Sequence, residues 1–373
     1  MCGQRPLLRF RPVRSAGATN LKMNDLNFLI DKLESTHSLS LDEYTSLIKN
    51  RTPETTARLR VKAVEVRKKI YKTDVFIRGL IEFSNYCKND CFYCGLRRSN
   101  QTVNRYRLTH EQIIDCVKQG YRLGFRTFVL QSGEDNFFTD DILCRIISDI
   151  KKLYPDCAVT LSLGERSEQS YYALFDAGAD RYLLRHETAT DSHYKKLHPP
   201  SMSFTNRINC LYTLRKIGYA VGAGFMVGSP FQTPEHLASD LKFIQEFQPE
   251  MCGIGPFIPH NKTPFAKYSA GTAELTCFLL SVIRLIKPNI LLPATTSLGT
   301  IQADGREQGI LSGANVVMPN LSPVEVRKDY SLYDNKICTG SESAQCLSCL
   351  KDRIEKIGYQ VVVSRGDMKR INL

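Results

Sequence analysis

Residues 85–95 read Asn-Tyr-Cys-Lys-Asn-Asp-Cys-Phe-Tyr-Cys-Gly and place Cys87, Cys91 and Cys94 in one short segment. Thiolates are the usual protein ligands of iron–sulfur clusters, and a plain electron carrier uses four of them, whereas three leave one iron open to a small molecule. Asn89 and Asp90 favour the tight turn that such a loop needs. The stretch therefore predicts a cluster with a reactive open iron. From spacing alone, a zinc site with a fourth ligand elsewhere, or a group of buried free thiols, is the alternative.

The segment follows a buried apolar run, and similar runs recur at intervals of about 25 to 40 residues, with amphipathic helical segments between them. This alternation is typical of βα units and a parallel sheet. Strands are predicted at 76–83, 127–131, 158–163, 181–185, 220–226, 251–256, 290–294 and 315–318. Eight strands favour an α/β fold with a (β/α)8 barrel of the TIM type, and 373 residues suffice for one such barrel with additions at both ends.

Two helical segments precede the first strand. In the first, apolar residues recur at helical spacing, and in the second, at 56–71, Ala57, Val61, Val64 and Lys68 share one stripe. We divide the chain into a leader (1–24), N-terminal helices that cap the barrel (25–73), the barrel (74–330) and a cysteine-bearing C-terminal extension (331–373). The last 35 residues or so are expected to lie outside the barrel proper.

The cysteine segment, with the aromatic Tyr93 before its third cysteine, resembles the signature of the radical S-adenosylmethionine (radical SAM) superfamily. Within that superfamily, the chain is similar to the HydE-type maturases of iron–iron hydrogenase from about residue 25 to 350. Seven stretches carry this likeness in the expected order, at 81–87, 94–98, 130–135, 184–188, 255–260, 293–296 and 314–320.

The resemblance implies a 4Fe–4S cluster on Cys87, Cys91 and Cys94, whose open iron chelates SAM. Electron transfer into SAM then gives methionine and a 5′-deoxyadenosyl radical. The implied task is maturation of the hydrogenase H-cluster, on a cysteine-bound Fe(CO)2(CN) precursor. The implied partners are HydG-like and HydF-like proteins, with reduced ferredoxin or flavodoxin as the electron donor.

Individual residues match the family's positions. Those that match its SAM-binding positions are Gln131, Ser132, Gly133, Glu134, Glu187, Arg207 and Tyr330. Those that match the substrate cavity are Arg78, Arg185, Thr295, Thr296 and Tyr333, a set that would form an anion pocket. Without the resemblance, Glu187 and Arg207 are predicted to be surface ion-pair residues, and 131–134 fits an ordinary βα turn with glycine equally well.

A second set of cysteines lies near the C-terminus. Cys338, Cys346 and Cys349 match a second iron–sulfur cluster site found in part of the family, and a metal-free thiol group is the alternative. The remaining cysteines show no ligand spacing and read as packing residues. Phe231 is a departure, because the family pattern favours glycine at that position.

The composition limits compartment and partners. The first 24 residues contain five basic side chains and no acidic one, which is typical of a leader for a hydrogenosome, a mitochondrion or a plastid; a basic tail on a cytoplasmic protein is the alternative. An odd count of 13 cysteines without a signal segment favours a reducing compartment. No stretch has the length of a membrane span, and basic residues do not alternate with aromatic ones, so neither a membrane nor a nucleic acid is expected as a partner.

Three alternatives to the maturase remain at this stage. Another barrel-type radical SAM enzyme, such as a methylornithine synthase or a biotin synthase, shares the cysteine signature. A biotin synthase needs further cysteines inside the barrel, and the predicted strands do not supply that set. The third alternative is an iron–sulfur scaffold or carrier that does not turn over SAM.

Overall fold

A computed structural model of the chain describes residues 23–337 and 344–371. Three helices precede the barrel, α1 (Met23–Thr36), α2 (Leu41–Lys49) and α3 (Pro53–Tyr71). Thr52 caps α3, and Pro53 occupies its first turn, where the missing N–H is not needed. The predicted stripe on α3 is wrong: Val61 is 57% exposed, whereas the face with Leu59 and Ala63 is buried. The predicted leader lies outside the described residues except for its last two positions, which begin α1.

The barrel is built from parallel strands. Its segments are β1 (Asp74–Ile77), β2 (Gly79–Ser84), β3 (Thr127–Ser132), β4 (Ala158–Ser162), β5 (Arg181–Leu183), β6 (Ala220–Ala223), β7 (Met226–Val227), β8 (Met251–Cys252), β9 (Gly255–Pro256) and β10 (Val316–Val317). A six-stranded sheet has the order β2-β3-β4-β5-β6-β8, β7 pairs with β9, and β10 pairs with β1. Single parallel bridges, Met251 to Leu291, Pro293 to Val316 and Leu80 to Asn320, complete the ring. The predicted parallel α/β barrel is confirmed.

Three predicted strands are each divided in two. The first is interrupted at Arg78, and the fifth and sixth are interrupted together, between β6 and β7 and between β8 and β9. At that level a Cβ on Gly224 would lie 2.1 Å from the carbonyl oxygen of Gly253. The two backbones therefore approach more closely there than residues with side chains would permit.

The predicted strand at 290–294 is wrong, because only the bridges at Leu291 and Pro293 are formed. The Leu292 N–H donates to the Asn315 side chain at 2.9 Å instead of to a neighbouring strand. Pro293 has no N–H to donate. Ladder pairing along this segment is thus limited to isolated bridges.

Helices cover the outside of the ring. They are α4 (His110–Arg122), α5 (Asp140–Leu153), α6 (Glu168–Asp176), α7 (Asp191–Leu197), α8 (Phe204–Ile217), α9 (Pro234–Phe247), α10 (Ala273–Ile286), α11 (Thr296–Ile301) and α12 (Gly305–Ile310). Apolar faces of these helices and the strands form one large hydrophobic core. Within the described ranges, no helix combines the length and the apolar character that crossing a bilayer requires.

The sequence predicted that the C-terminal region lies outside the barrel. This is wrong for part of it, because its last strand joins the barrel sheet. After 3-10 turns at Val324–Asp329 and Ala344–Cys346 and helix α13 (Leu347–Lys356), β11 (Gln360–Val362) pairs in parallel with β1. Beyond it, Asp367 lies 2.6 Å from the guanidinium of the buried Arg181, and the Arg365 carbonyl accepts a bond from Thr127. This tail closes the end of the barrel at which the strands begin.

Candidate active site

The loop with the three cysteines begins where β2 ends and is held by its neighbours on several sides. The Asn85 side-chain amide donates to the carbonyls of Asn104 and Asp329, each at 2.8 Å. The Gly95 N–H donates to the Leu332 carbonyl at 2.8 Å. Arg105 donates to four carbonyls along the loop, from Asn85 to Asn100. The loop is therefore shaped by polar contacts that do not involve its cysteine side chains.

The environment of the three thiols opposes ionisation unless a cation binds. Burial raises the pKa of Cys94 to about 12, and burial together with the neighbouring thiols raises the pKa of Cys91 above its usual range. Burial also raises the pKa of Cys87. In the part of the chain that the structure describes, no three Cys, His, Asp or Glu side chains converge on a single metal ion. A cubane cluster takes each thiolate on a different iron, so the sulfurs need not meet at one point.

Tyr93, the aromatic residue of the signature, is oriented by a histidine that the sequence analysis missed. His198 Nδ1 lies 3.0 Å from the Tyr194 carbonyl, which can only accept, so Nδ1 carries the proton. His198 Nε2 is then an acceptor, and the Tyr93 hydroxyl donates to it at 3.1 Å. His198 therefore sets the direction of the Tyr93 ring beside the cysteines.

The 131–134 loop at the end of β3 packs directly against the cysteine loop. A Cβ on Gly133 would lie 2.2 Å from the Tyr86 carbonyl oxygen and 2.8 Å from Cys87 Cβ. The Gly133 N–H donates to Ser84 O at 3.2 Å, and the Lys88 N–H donates to Glu134 O at 2.9 Å. The Ser132 hydroxyl donates to the Gly133 carbonyl. The structure thus brings these predicted SAM-loop residues beside Cys87.

Arg207 joins this loop from α8. Its Nε lies 2.5 Å from Glu165, its Nη1 donates to the Arg185 carbonyl at 2.8 Å, and its Nη2 is 3.9 Å from Glu134. Burial alone would lower the pKa of Arg207, but Tyr194 and Glu165 raise it above the ordinary value. The guanidinium is therefore a permanent positive charge within the loop cluster.

Arg185 and Glu187 follow β5. Arg185 Nη2 and Glu187 Oε2 form an ion pair at 3.0 Å, and the buried Arg185 Nε has no hydrogen-bond partner among the described residues. Glu187 has a left-handed backbone (φ 65°), which a residue with a side chain adopts only under constraint. A charged pair on a constrained loop, with one buried guanidinium N–H unsatisfied, indicates that these side chains are arranged for a bound group.

Beneath Glu187 lies a buried pair, His186 and Asp240, with Nε2 and Oδ1 3.3 Å apart and both residues fully buried. The Gly224 N–H donates to His186 Nδ1, so Nε2 carries the proton and faces Asp240. Asp240 also accepts from the Ala189 N–H at 2.5 Å. Asp240 could not be recognised from the sequence, because its partners His186 and Ala189 are distant from it in the chain.

Tyr330 and a missed ion pair lie behind the 131–134 loop. Burial raises the pKa of Tyr330, and the neighbouring Gln131 side chain opposes that rise. The Lys336 ammonium lies 2.5 Å from the fully buried Glu82 and donates to the Tyr330 carbonyl at 2.9 Å. Glu82 could have been recognised as a charge in an otherwise apolar strand, but Lys336 could not.

The predicted substrate residues are not all in one place. Thr295 and Thr296 begin α11, where Thr295 is 3.0 Å from Ser297 Oγ and Thr296 accepts from Arg306. Arg78 is buried between β1 and β2, contacts Met251 through Nη1, and lacks partners for Nε and Nη2. Being six residues before Ser84 in the strand, Arg78 lies about 20 Å below the cysteine loop. Tyr333 belongs to the segment that follows Tyr330.

The second cysteine set is only partly described. Cys346 and Cys349 are joined as a disulfide at the start of α13. Cys338 lies outside the described residues. The structure therefore brings two of the three predicted ligands together.

Comparison with known proteins gives the class first. Residues 81–244 match the Radical SAM superfamily. A solved structure of methylornithine synthase has a TM-score of 0.78 at 26% identity and covers 90% of this chain and 97% of that chain. A structure of the maturase HydG has a TM-score of 0.77 at 19% identity over 92% of this chain and 77% of that chain, a likeness of fold alone.

The family follows from a nearer relative. Over 309 residues the chain is 46% identical to the FeFe hydrogenase maturase subunit HydE of Thermotoga maritima, covering 83% of this chain and 88% of that protein. A 3-methylornithine synthase of Methanosarcina acetivorans is 26% identical over 338 residues, 90% of this chain and 94% of that protein. The chain belongs to the HydE family of radical SAM enzymes.

The cofactors of that family are a 4Fe–4S cluster and SAM, and the residues present fit them. Three adjacent, partly buried thiols need a cationic group to ionise, and the absence of a side chain at Gly133 lets its loop approach Tyr86 and Cys87. Arg185 and Glu187 form an ion pair beside them, with Arg185 Nε lacking a hydrogen-bond partner among the described residues. The donor set and the cradle beside it therefore suit a cluster with a small charged ligand.

Proposed function

We propose that this protein matures the two-iron subcluster of FeFe hydrogenase by radical SAM chemistry on a cysteine-bound Fe(CO)2(CN) precursor. The observation that carries the proposal is the packing of the Gly133 loop against Cys87, which sets a polar cradle directly beside three thiols. When bound, the cluster and SAM supply the electron and the carbon-centred oxidant for the reaction. The family relationship to a HydE maturase supports the choice of pathway.

In this proposal Cys87, Cys91 and Cys94 hold the cluster. Glu134, with Gln131 and the backbone of Ser132 and Gly133, faces the ammonium of SAM. A carboxylate or a carbonyl opposite an ammonium makes charge-assisted hydrogen bonds, which are stronger than neutral ones.

Two charged residues complete the SAM site. Arg207 binds the SAM carboxylate with its planar guanidinium, for which it exchanges part of its contact with Glu165. Glu187 accepts from the ribose hydroxyls, because its carboxylate has further lone pairs beside the ion pair with Arg185. Tyr330 supports the site from its position beside Gln131.

The substrate pocket is formed by Arg185, Thr295 and Thr296, with Tyr333 beside them. The buried Arg185 Nε has no hydrogen-bond partner among the described residues, and an unsatisfied buried polar group is costly, so an anionic substrate would stabilise the pocket. Arg78, deeper in the barrel, also has buried guanidinium nitrogens without hydrogen-bond partners among the described residues, which an anionic group would stabilise. A cysteine-bound complex with a carboxylate and cyanide ligand has the charge that these groups require.

We also propose a second iron–sulfur cluster on Cys338, Cys346 and Cys349 that is not needed for SAM cleavage. HydG-like and HydF-like proteins are the proposed partners, and reduced ferredoxin or flavodoxin is the proposed electron donor.

The basic leader supports an organelle matrix as the location, and a fusion of residues 1–24 to a fluorescent protein tests it. Uniform cytoplasmic fluorescence would contradict the proposed location in an organelle.

The test uses anaerobically reconstituted full-length protein with SAM, a reductant and the iron–cysteine complex. We expect 5′-deoxyadenosine from the unsubstituted protein, and none from Cys91→Ser with loss of cluster iron. Cys144→Ser, a cysteine outside both sets, should retain both. Cys349→Ser should lose only iron of the second site.

A second candidate, methylornithine synthesis, is favoured by the 26% identity to such synthases over most of the chain. Lysine is the discriminating substrate. Conversion of lysine to methylornithine, with no turnover of the iron–cysteine complex, would replace the maturase proposal.

A further inference from the structure

Exposed aromatic and basic residues border the cysteine loop; we call them the rim patch, formed by Lys196, Phe231, Lys262, Lys267 and Tyr268 over the buried Phe265. Ring centroids lie 5.4 Å apart for Phe231 and Tyr268 and 5.2 Å apart for Phe265 and Tyr268. The Lys196 ammonium is 5.2 Å from the Phe231 centroid. Phe231 is 45% exposed and Tyr268 is 40% exposed, so two large aromatic faces meet solvent side by side.

The rim patch is in direct contact with the loop that carries the cysteines. Phe92, the neighbour of Cys91, packs edge-on against Phe265 with centroids 6.1 Å apart. The Phe92 N–H donates to the Leu197 carbonyl at 3.0 Å, and Leu197 follows Lys196. A protein bound on the patch would therefore lie against the loop that holds the proposed cluster.

Phe231 is not explained by stability. Its backbone is left-handed (φ 64°), the conformation that favours glycine, as expected from the family pattern at this position. Its ring contacts Phe265 and Tyr268, but Phe231 remains 45% exposed, so packing offsets the strain only in part. Strained, exposed aromatic residues are typical of binding surfaces.

The charge of the patch is unbalanced. Lys196, Lys262 and Lys267 are exposed, and within the described ranges none has a carboxylate at ion-pair distance. Neighbouring carboxylates have other partners: Asp191 pairs with Lys195, and Asp334 accepts from the Asn261 N–H at 2.9 Å and lies 3.9 Å from His260 Nε2. A partner with acidic groups would meet free positive charge around an aromatic centre.

We propose that the rim patch docks a small acidic iron–sulfur protein that delivers the electron for SAM cleavage; this rests on the proposed function. One electron passes from the reduced carrier, which is oxidised by one unit, to the cluster on the cysteine loop, which is reduced by one unit. Iron–sulfur proteins reach the low potentials from which a second cluster can be reduced. A small aromatic centre with a charged border suits a transient encounter, in which electrostatics set the association rate.

The test compares two charge-reversal variants of the reconstituted holoenzyme. Lys262→Glu/Lys267→Glu changes the patch, and Lys69→Glu/Lys72→Glu is the matched control at the opposite end of the barrel, just before β1. The probe is a small acidic 4Fe–4S ferredoxin. Its binding is measured by biolayer interferometry at low and high salt, and 5′-deoxyadenosine formation is driven either by the reduced ferredoxin or by dithionite.

We expect the patch variant to bind the ferredoxin about tenfold more weakly at low salt, with the difference shrinking at high salt. Its ferredoxin-driven rate should fall while its dithionite-driven rate is unchanged, because dithionite needs no docking surface. The control variant should bind like the unsubstituted protein. Phe231→Gly should also weaken binding without loss of thermal stability.

Equal binding by the patch and control variants would overturn the proposal, as would patch-dependent binding of a flavodoxin with no binding of the ferredoxin. Failure of the unsubstituted protein to cleave SAM with dithionite would refute the proposed function instead. The binding measurement would still decide the docking.

Discussion

At the scale of single residues, the site depends on positions that bring two loops into contact. Gly133 has no room for a side chain because Tyr86 and Cys87 occupy the space. Asp240 binds the Ala189 N–H and faces His186 Nε2, and so fixes the backbone on both sides of Glu187. The reactive groups are thus placed by residues that do not themselves react.

Gly133→Ala should weaken SAM binding by about 100-fold, because relieving the clash displaces the loop by an ångström or more. Isothermal titration of SAM into reconstituted protein measures the change. Gly120→Ala is the matched control, because its Cβ would meet Leu321 and Phe128 at 2.7 Å, far from the cysteines. Both variants should lose thermal stability. A SAM affinity that falls equally in both would show that Gly133 has no local role.

Asp240→Leu should lower the free energy of unfolding by about 2–4 kcal/mol, because the Ala189 N–H and the His186 ring lose a buried acceptor. Asp240→Asn keeps an acceptor oxygen and should lose less than about 1 kcal/mol. Urea denaturation of the metal-free protein measures both. The leucine variant should also raise the KM for SAM through displacement of Glu187, whereas kcat at saturating SAM should change little. Identical stability of the two variants would contradict this role.

At the scale of elements, the segment from Asp329 to Ile337 acts as a strap across the top of the barrel. It accepts bonds from Asn85 and Gly95 of the cysteine loop, and the Asp334 N–H donates to the Pro259 carbonyl. The Lys336 ammonium donates to the Glu82 carboxylate in β2 and so holds the end of the strap in place. These contacts hold the strap against the loop that carries Cys87, Cys91 and Cys94.

Lys336→Met should destabilise the protein by about 3–5 kcal/mol, because Glu82 would remain buried without its counter-charge. The double variant Glu82→Gln/Lys336→Met leaves no buried charge and should recover most of that loss. Lys328→Met, an exposed position just before the strap, is the matched control. Equilibrium denaturation of the metal-free protein measures all three. A double variant as unstable as Lys336→Met would refute the ion pair as the cause.

At the scale of the whole molecule, the barrel is closed at both ends by C-terminal chain. The strap covers the end with the cysteines, and the tail from β11 to Asp367 covers the other end. Buried histidines lie between core and loops, with burial lowering the pKa of His186 to about 3, of His193 to about 4 and of His198 to about 3. These rings are neutral in the folded protein at neutral pH.

The unfolding free energy should therefore fall as pH drops from about 6.5 to 4.5. In this range the histidines of the unfolded chain bind protons, whereas the buried histidines of the folded protein stay neutral. Each histidine contributes a slope of up to about 1.4 kcal/mol per pH unit. Asp240 acts in the opposite direction, because burial raises its pKa. Denaturation of metal-free protein at several pH values measures the slope, and His193→Gln should reduce it. A slope unchanged by His193→Gln would contradict the assignment.

The local sequence determined the features that depend on neighbours in the chain. These are the three-cysteine segment, the alternation of strands and helices, and the loops at strand ends, since spacing and periodicity are written into consecutive residues. Tertiary structure alone decided which distant groups meet: Lys336 with Glu82, Asp240 with His186, and β11 with β1. Tertiary structure also interrupts the predicted strand at 290–294, because the Asn315 side chain accepts the hydrogen bond of the Leu292 N–H. Such pairings arise from packing of segments far apart in the chain, and no local pattern encodes them.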